Sequence, residues 1–202
     1  MLIEQIPSLL RGVYLGVTWR KSQQEKVIYL TFDDGPIPEV TPWVLDILDQ
    51  YQIKATFFCV GENVMRYPEI YEDIIKRGHR TGNHTFNHKR GFFTDTRDYL
   101  DNVEKATQYI DSDLFRPPHG EMRRAQLKFL RNNFKVIQWD VITRDYNQNL
   151  SEDKAFKIVK RYARNGSIIV FHDSLKAEKN MRYSMPKSIE FLLQKGYTFG
   201  VL

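Results

Sequence analysis

The stretch TFDDGP at residues 31–36 ends an apolar run that begins at Val27, and its Gly-Pro pair forms a turn. The apolar run predicts a buried strand, and the glycine and proline indicate where that strand ends. Asp33 and Asp34 therefore follow a strand directly. Taken alone, this carboxylate pair is as typical of a solvated turn as of a functional site, because Asp and Gly are common turn formers.

Apolar runs of this kind alternate along the chain with longer segments of helical periodicity. This order is typical of strand–helix units around a mostly parallel sheet, so we predict an α/β fold. Seven strands are predicted, at residues 27–32, 55–60, 79–83, 113–116, 134–139, 167–171 and 197–201. Helices are predicted from Thr41, from Pro68 to Gly78, and at residues 99–111, 125–132, 151–163 and 186–194, with Ser151 as an N-cap.

The composition is that of one globular domain, which we assign to residues 1–202. Hydrophobic residues make up 42% and charged residues 27% of the chain, so composition suggests neither disorder nor a membrane span. A net charge of +5 weakly favours an anionic partner, but the scattered basic residues argue against a nucleic-acid-binding protein. We read no export signal in residues 1–20, which makes the cytoplasm the default compartment and leaves action at the cell envelope open.

His84 and His88 come at the end of another predicted strand and are four residues apart. That spacing lets both imidazoles face one point if the segment forms a helical turn. The pair alone is a weak indication of a metal site, because the spacing often arises by chance. A nearby carboxylate would complete the two-histidine, one-carboxylate set that suits a catalytic divalent cation. We interpret His79, at the start of the same strand, as structural.

Three further polar side chains follow predicted strands: Arg116, Asp145 and His172. In a barrel of parallel strands the carboxyl ends converge on one rim, so five segments would bring these side chains, the aspartate pair and the histidine pair to one cleft. Two aromatic residues near this rim, Trp139 and Tyr146, have two open interpretations. They are either ordinary core or surface residues or walls of the cleft that pack against a sugar ring.

Together these segments resemble the motifs of the polysaccharide deacetylase superfamily, carbohydrate esterase family four, which shares the nodulation-type chitooligosaccharide deacetylase domain. The matching segments are TFDDGP at 31–36, HTFNH at 84–88, RPPHG at 116–120, WDVITRDY at 139–146 and IIVFHD at 168–173. They occur in the family's order, and the resemblance extends over residues 27–202. It implies a distorted seven-stranded (β/α) barrel that is similar to a TIM barrel.

The resemblance also implies a metal centre with a catalytic base beside it. Its ligands would be Asp34, His84 and His88, and the base would be Asp33, held by Arg116. Zinc is the cation we expect, although Co²⁺, Fe²⁺, Ni²⁺ or Mn²⁺ also suit this ligand set.

The remaining implied roles concern the general acid and the substrate. His172 would be the general acid, oriented by Asp145, and the backbone amide of His119 would bind the oxyanion. Val170 and Tyr146 would line the acetyl pocket and its mouth.

Three positions depart from the family pattern. His119 stands where the family usually has Tyr, Ile142 where many members have Asp, and Tyr146 where Trp is common. None of these changes removes an implied ligand or the base. The change at His119 is expected to reshape the substrate groove, and Ile142 leaves the hydrogen-bond network behind the site open.

The sequence thus predicts a metal-dependent hydrolase that removes N-acetyl groups from a glycan containing N-acetylglucosamine, either peptidoglycan or a chitin-like oligomer. We expect the enzyme to be a monomer. Two alternatives stay open: a metal hydrolase of another amide or of an O-acetyl ester, and a non-catalytic sugar-binding module. Release of acetate would exclude the module, and a panel of substrates would separate the two hydrolases.

Overall fold

A curled sheet of parallel strands forms the centre of this computed structural model, which describes residues 4–5, 11–12 and 14–202. Residues 14–202 contain the strands β1 (Val17–Thr18), β2 (Val27–Asp33), β3 (Thr56–Cys59), β4 (Arg80–Asn83), β5 (Leu114–Phe115), β6 (Lys135–Ile137), β7 (Val141–Ile142), β8 (Ile168–His172) and β9 (Thr198–Phe199). The α-helices of the same residues are α1 (Thr41–Gln50), α2 (Gly61–Arg66), α3 (Pro68–Lys76), α4 (Thr96–Thr107), α5 (Arg124–Leu130), α6 (Lys154–Tyr162) and α7 (Glu178–Gln194). Short 3₁₀ turns lie at Gly91–Phe93 and Pro118–Gly120.

The strand order shows how the sheet curls into a barrel. The order is β1-β6-β5-β4-β3-β2-β8-β7, with β9 paired to β2 outside this path, and every pairing between these strands is parallel. β6 lies near one edge and β7 forms the other, yet only residues 138–140 separate them in the chain. So short a connection spans at most about 14 Å, so the two edges must come close together. The predicted α/β barrel is confirmed.

The pairing of β2 with β8 positions the carboxyl ends of both strands. Thr31 is the register partner of Val170, and Asp33 is the register partner of His172. Side chains on a strand alternate between its two faces, so these four residues share one face of the sheet. Asp33 and His172 are also the last residues of their strands, and therefore they lie side by side at one rim.

Apolar side chains fill the space on both faces of the sheet. On the face that carries Asp33 and His172, one buried cluster is formed by Phe58, Leu114, Ile137, Ile168 and Leu202. On the other face, a larger cluster joins strand residues such as Phe32 and Phe171 to residues of the surrounding helices. Burying each large apolar side chain contributes about 1.5–3 kcal/mol, so this packing holds the rim in place.

All seven predicted strands are present, as β2 to β6, β8 and β9, with ends that differ by a few residues. The short elements β1, β7 and α2 were not predicted. Two-residue strands are too short to show periodicity, and their formation depends on pairing with β6 and β8.

The predicted start of the last helix is wrong. Helix α7 begins at Glu178, and Pro186, which we predicted as its first position, lies inside it. A proline inside a helix removes one backbone hydrogen bond and is normally costly. Here Met181, Met185 and Ile189 follow helical spacing and are buried in the large core cluster, and this packing outweighs the cost.

Two other helix starts differ from prediction because of local side-chain contacts. Ser151 is not the N-cap of α6, since that helix begins at Lys154 and has Asp153 at the N-cap position. The hydroxyl of Ser151 instead donates to Asp153 Oδ1 at 2.7 Å. Helix α4 begins before its predicted start at residue 99, because Asp95 Oδ1 accepts the backbone N–H of Arg97 at 2.8 Å and caps the helix.

No helix within the described residues combines the length and the apolar character that crossing a bilayer requires. The expectation that residues 1–20 carry no export signal falls partly outside the described residues, since residues 1–3, 6–10 and 13 are not described. The assignment of residues 1–202 to one domain stays a prediction.

Asp140 is a fully buried carboxylate that links the amino-terminal segment to the sheet. Arg164 binds both of its oxygens, at 2.7 and 3.0 Å, and Arg11 and Ser167 donate to it at 2.5 and 2.7 Å. Burial would raise the pKa of Asp140, but the hydrogen bonds from Arg164, Arg11 and Ser167 lower it to about 2. The group is therefore an anion at neutral pH, and its loss leaves cationic partners uncompensated.

We predict that Asp140→Asn lowers the free energy of unfolding by about 2–4 kcal/mol, because it breaks a buried, hydrogen-bonded ion cluster. Urea unfolding at pH 7 measures the change. The matched control is Asp113→Asn, whose more exposed carboxylate pairs with Arg80 and Lys135 and should contribute about 1 kcal/mol or less. Equal losses in the two variants would contradict this account of Asp140.

Candidate active site and metal centre

The loop after β2 directs two neighbouring carboxylates to different partners. Asp34 has a φ of 85°, in the left-handed region that residues other than glycine seldom adopt. The amide of Asn63 donates to the carbonyl of Asp34 at 2.8 Å, and the N–H of Val60 donates to the carbonyl of Gly35 at 2.9 Å. These contacts hold the turn, so that Asp33 remains on the strand while Asp34 faces the histidine pair.

His84 and His88 converge, but not through the helical turn that their spacing suggested. The segment is a loop in which Thr85 and His88 have φ values of 64° and 57°. Asn83 Oδ1 accepts the N–H of Thr85 at 2.8 Å, and Thr85 Oγ1 accepts the N–H of Lys89 at 3.0 Å. The two imidazoles therefore face one point through a loop, without the helical turn that the prediction from their spacing had required.

Asp34, His84 and His88 form a cluster of possible metal ligands. One ligand atom from each residue lies within 4.8 Å of the other two. Asp34 Oδ1 is 3.8 Å from His84 Nε2 and 3.1 Å from His88 Nε2. These separations are short enough for the three atoms to bind one cation.

The protonation state of His84 also suits a metal ligand. Its Nδ1 lies 2.8 Å from the carbonyl oxygen of Arg116, which can only accept, so Nδ1 carries the hydrogen and Nε2 offers a lone pair. Burial lowers the pKa of His84 to about 4 and keeps the ring neutral. For Asp34, burial would raise the pKa, but the hydrogen bond from His88 and the nearby His172 and His88 charges lower it. A neutral imidazole and an anionic carboxylate are the forms that bind a divalent cation.

Arg116 fixes the position of Asp33. Its fully buried guanidinium donates through Nη1 to Asp33 Oδ1 at 2.6 Å and to Thr31 Oγ1 at 2.8 Å. Its Nη2 donates to the carbonyl of Gln138 at 3.2 Å, and the group stacks 4.0 Å from the ring centre of Phe58. Arg116 hydrogen-bonds to Asp33 through Oδ1 and makes no hydrogen bond to Oδ2.

His172 is held by the buried carboxylate of Asp145 at two points. Its Nδ1 is 2.7 Å from Asp145 Oδ1, and its backbone N–H donates to Asp145 Oδ2 at 2.8 Å. Burial would lower the pKa of His172, but the charge and the hydrogen bond of Asp145, with smaller contributions from Asp34 and Asp33, raise it to about 9. The imidazolium is therefore the stable form at neutral pH. Tyr146 packs edge-on against the ring, with 4.9 Å between ring centres.

His119 lies beside the metal-ligand cluster in a strained backbone conformation. Its φ is 58°, and its ring centre is 4.8 Å from that of His88. The N–H groups of Gly120 and Glu121 donate to preceding carbonyls, whereas within the described part of the chain no acceptor contacts the N–H of His119. That free donor agrees with the predicted oxyanion role, which stays a prediction.

A small apolar cluster lies beside His172. Trp139, Ile142 and Val170 are buried together, and Tyr146 packs against them. Ile142 thus fills an apolar position where a carboxylate was expected from the family pattern. Trp139 is only 8% exposed and its ring lies against Gly120, and its role in substrate binding stays a prediction. For Tyr146, which is partly exposed, both interpretations stay open.

Comparison with known proteins identifies the family of the chain. A sequence profile described as polysaccharide deacetylase matches residues 20–133. The peptidoglycan-N-acetylglucosamine deacetylase of Bacillus cereus is 34% identical over 191 residues, which cover 91% of this chain and 89% of that protein. The chain belongs to the polysaccharide deacetylase family.

Other members of this family agree with the assignment. A chitooligosaccharide deacetylase of Azorhizobium caulinodans is 34% identical over 169 residues, covering 79% of each chain. A crystal structure of a peptidoglycan N-acetylglucosamine deacetylase in complex with 4-naphthalen-1-yl-N-oxidanyl-benzamide has a TM-score of 0.86 and 31% identity, covering 98% of this chain and 95% of the other. The predicted family and its barrel fold are confirmed.

One buried residue that supports the candidate site, Asp173, was not among the predicted site residues. Its Oδ2 accepts the hydroxyl of Thr41 at 2.6 Å, and its Oδ1 accepts the N–H of Gly35 at 3.2 Å. A side chain on Gly35 would come within 1.9 Å of the same carboxylate. Asp173 thus supports the loop that carries Asp34, and its position next to His172 at a strand end was the available signal.

We predict that His84→Ala or Asp34→Ala weakens Zn²⁺ binding by about 100-fold or more, because either change removes a ligand from the cluster. Competition with a chromogenic chelator measures the affinity. His119→Ala is the matched control, since it removes a neighbouring imidazole that is not part of the cluster. A similar loss of affinity in all three variants would contradict the assigned ligand set.

Proposed function

We propose that this chain is a metal-dependent hydrolase that removes N-acetyl groups from a glycan containing N-acetylglucosamine, either peptidoglycan or a chitin-like oligomer. One observation carries the proposal: Asp33 and His172 are register partners on adjacent strands, and the Asp34, His84 and His88 cluster lies next to Asp33. A base, an acid and a cation site at one rim can together promote the hydrolysis of an amide. We also propose that the protein is a monomer with a single domain.

Zinc is the cation we propose for this site. Two imidazoles and one carboxylate are a common zinc set in hydrolases, and Co²⁺, Fe²⁺, Ni²⁺ or Mn²⁺ also fit. When held by Asp34, His84 and His88, such a cation supplies Lewis acidity for the attacking water and for the acetyl carbonyl.

In the proposed reaction, Asp33 begins the chemistry by accepting a proton from the attacking water. The ion pair between Arg116 and Asp33 Oδ1 keeps the base in a fixed orientation toward the cleft. Attack of the water on the acetyl carbon forms the new C–O bond and places negative charge on the former carbonyl oxygen. The N–H of His119 is the donor that we assign to this oxyanion.

His172 completes the reaction by protonating the leaving nitrogen. Because Asp145 binds Nδ1, the opposite nitrogen, Nε2, is the atom that donates its proton to the sugar amine as the C–N bond breaks. The products are acetate and a free amino sugar. The apolar cluster of Val170, Ile142 and Trp139 beside His172 offers the kind of surface that suits an acetyl methyl group.

The choice of glycan rests on the relatives. The Bacillus cereus relative is named for peptidoglycan and the Azorhizobium caulinodans relative for chitooligosaccharide. Both names refer to glycans with N-acetylated amino sugars, which is the class we propose. Hydrolysis of an O-acetyl ester or of another amide is the rival reaction, and the presence of both base and acid disfavours a non-catalytic sugar-binding module.

We predict that Asp33→Asn and His172→Ala each lower the rate of acetate release by on the order of 10²-fold or more, because each removes one proton-transfer group. The assay uses zinc-restored protein and N-acetylglucosamine oligomers. Asp98→Asn, which changes an exposed aspartate of α4, is the control and should keep the wild-type rate. A near-wild-type rate in either active-site variant would refute the role assigned to that residue.

We also predict that Asp145 sets the alkaline limit of activity. The pKa of His172 is raised to about 9, so His172 is protonated at neutral pH. It loses this proton, and with it the ability to act as an acid, as the pH rises through that value. In Asp145→Asn the counter-charge is gone, and the alkaline limb of the kcat profile should move down by about one pH unit or more. Profiles measured from pH 6 to 10 would contradict this assignment if both proteins had the same alkaline limb.

A further inference from the structure

Two adjacent phenylalanines are exposed on the loop that follows the histidine pair. Phe92 is 45% exposed and Phe93 is 74% exposed, whereas most large apolar side chains of the described residues are buried. Neighbouring exposed aromatic rings are more informative than a single exposed apolar residue, because contiguous apolar surface commonly marks a binding site.

Hydrogen bonds from Gln126 and Arg123 hold the loop that carries these rings in one conformation. The buried side chain of Gln126 donates to the carbonyls of Gly91 and Thr94 at 2.9 and 3.3 Å and accepts the N–H of Arg123 at 2.7 Å. Arg123 in turn donates to the carbonyl of Phe92 at 2.8 Å. A side chain on Gly91 would come within 2.3 Å of a neighbouring backbone carbonyl, so the loop lies flat against its support. Binding to such a surface costs little ordering entropy.

The exposed rings lie on the loop that follows β4, and the segment that follows the neighbouring strand β5 carries Glu121 and His119. The guanidinium of Arg90 stacks 4.5 Å from the ring centre of Phe93 and binds both oxygens of Glu121, at 2.5 and 3.0 Å. Glu121 lies two residues after His119, whose ring contacts that of His88. Both loops leave the carboxyl ends of adjacent parallel strands, so the aromatic pair lies on the same rim as the metal-ligand cluster.

We infer that Phe92 and Phe93 form a subsite for a sugar ring of the same glycan chain, away from the residue that loses its acetyl group. This inference rests on the proposed function. Pyranose rings have apolar C–H faces, and aromatic side chains offer flat apolar surfaces of similar size. Two side chains on one loop are far too small to support a stable protein–protein interface, which needs about 1,000 Å² or more of buried surface. A single sugar ring, in contrast, can pack against one or two aromatic side chains.

The test compares short and long oligomers of N-acetylglucosamine in binding to zinc-loaded Asp33→Asn protein, which keeps the metal ligands and lacks the base. By isothermal titration, Phe93→Ala in this background should weaken binding of the pentasaccharide roughly fivefold to twentyfold and leave the disaccharide nearly unchanged. Phe93→Tyr should restore the affinity, and Phe92→Ala should weaken pentasaccharide binding in the same direction. Phe129→Ala, which removes another exposed phenylalanine, from α5, is the matched control and should have no effect.

Several outcomes would overturn the subsite. Equal losses for both oligomers would mean that the change disturbs the metal centre, and no loss for either would mean that the rings do not touch the glycan. A change in sedimentation with no length-dependent loss would indicate a protein contact instead.

Failure of the proposed function gives a different result. Wild-type zinc enzyme would then release no acetate from either oligomer, while the length-dependent loss of binding in Phe93→Ala would persist.

Discussion

The parallel pairing of β2 with β8 is the constraint on which the site depends. A shift of one residue in this register would turn Asp33 and His172 to opposite faces of the sheet, because strand side chains alternate. The backbone N–H of Asp173 donates to the carbonyl of Asp33 at 3.1 Å, which extends the pairing to the end of both strands. The distance between the proposed base and acid is thus set by backbone hydrogen bonds, and the buried residues on either face resist its change.

Each member of this pair has a buried partner of opposite charge. Arg116 accompanies Asp33, and Asp145 accompanies His172, and both partners are fully buried. Charges in a poorly hydrated interior interact more strongly than in water, and each would be costly without its partner. The arrangement keeps an anion and a cation side by side on neighbouring strands. Asp34 instead lies beside the two histidines, which supply two of the three ligand atoms of the cluster.

The features that the sequence predicted well depend on short-range patterns. Apolar runs located the central strands, and polar residues after those runs pointed to Asp33, Arg116 and His172, which lie together at one rim while their roles stay predictions. The features that it did not predict depend on distant contacts. Pro186 resembles a helix start until the packing of α7 is known, and the strand β7 exists because β8 pairs with it.

The same distinction applies within the candidate site. The spacing of His84 and His88 suggested that both bind one cation. Their convergence requires positive φ values at Thr85 and His88 and support from Asn83. The support that Gln126 gives to the exposed loop spans 35 residues in sequence and has no local signature. Asp140 is similar, because its partners come from segments far apart in the chain. Family resemblance supplied the roles of individual residues, which periodicity alone leaves open.

The most direct measurement is mass spectrometry of N-acetylglucosamine oligomers after incubation with metal-free protein and with the same protein restored with zinc. Each hydrolysed amide lowers the mass of the product by one acetyl group, so the reaction is observed without a coupled assay. The account predicts stepwise acetyl loss that depends on the restored metal. Unchanged oligomers with the zinc-loaded protein, under conditions in which it binds them, would contradict it.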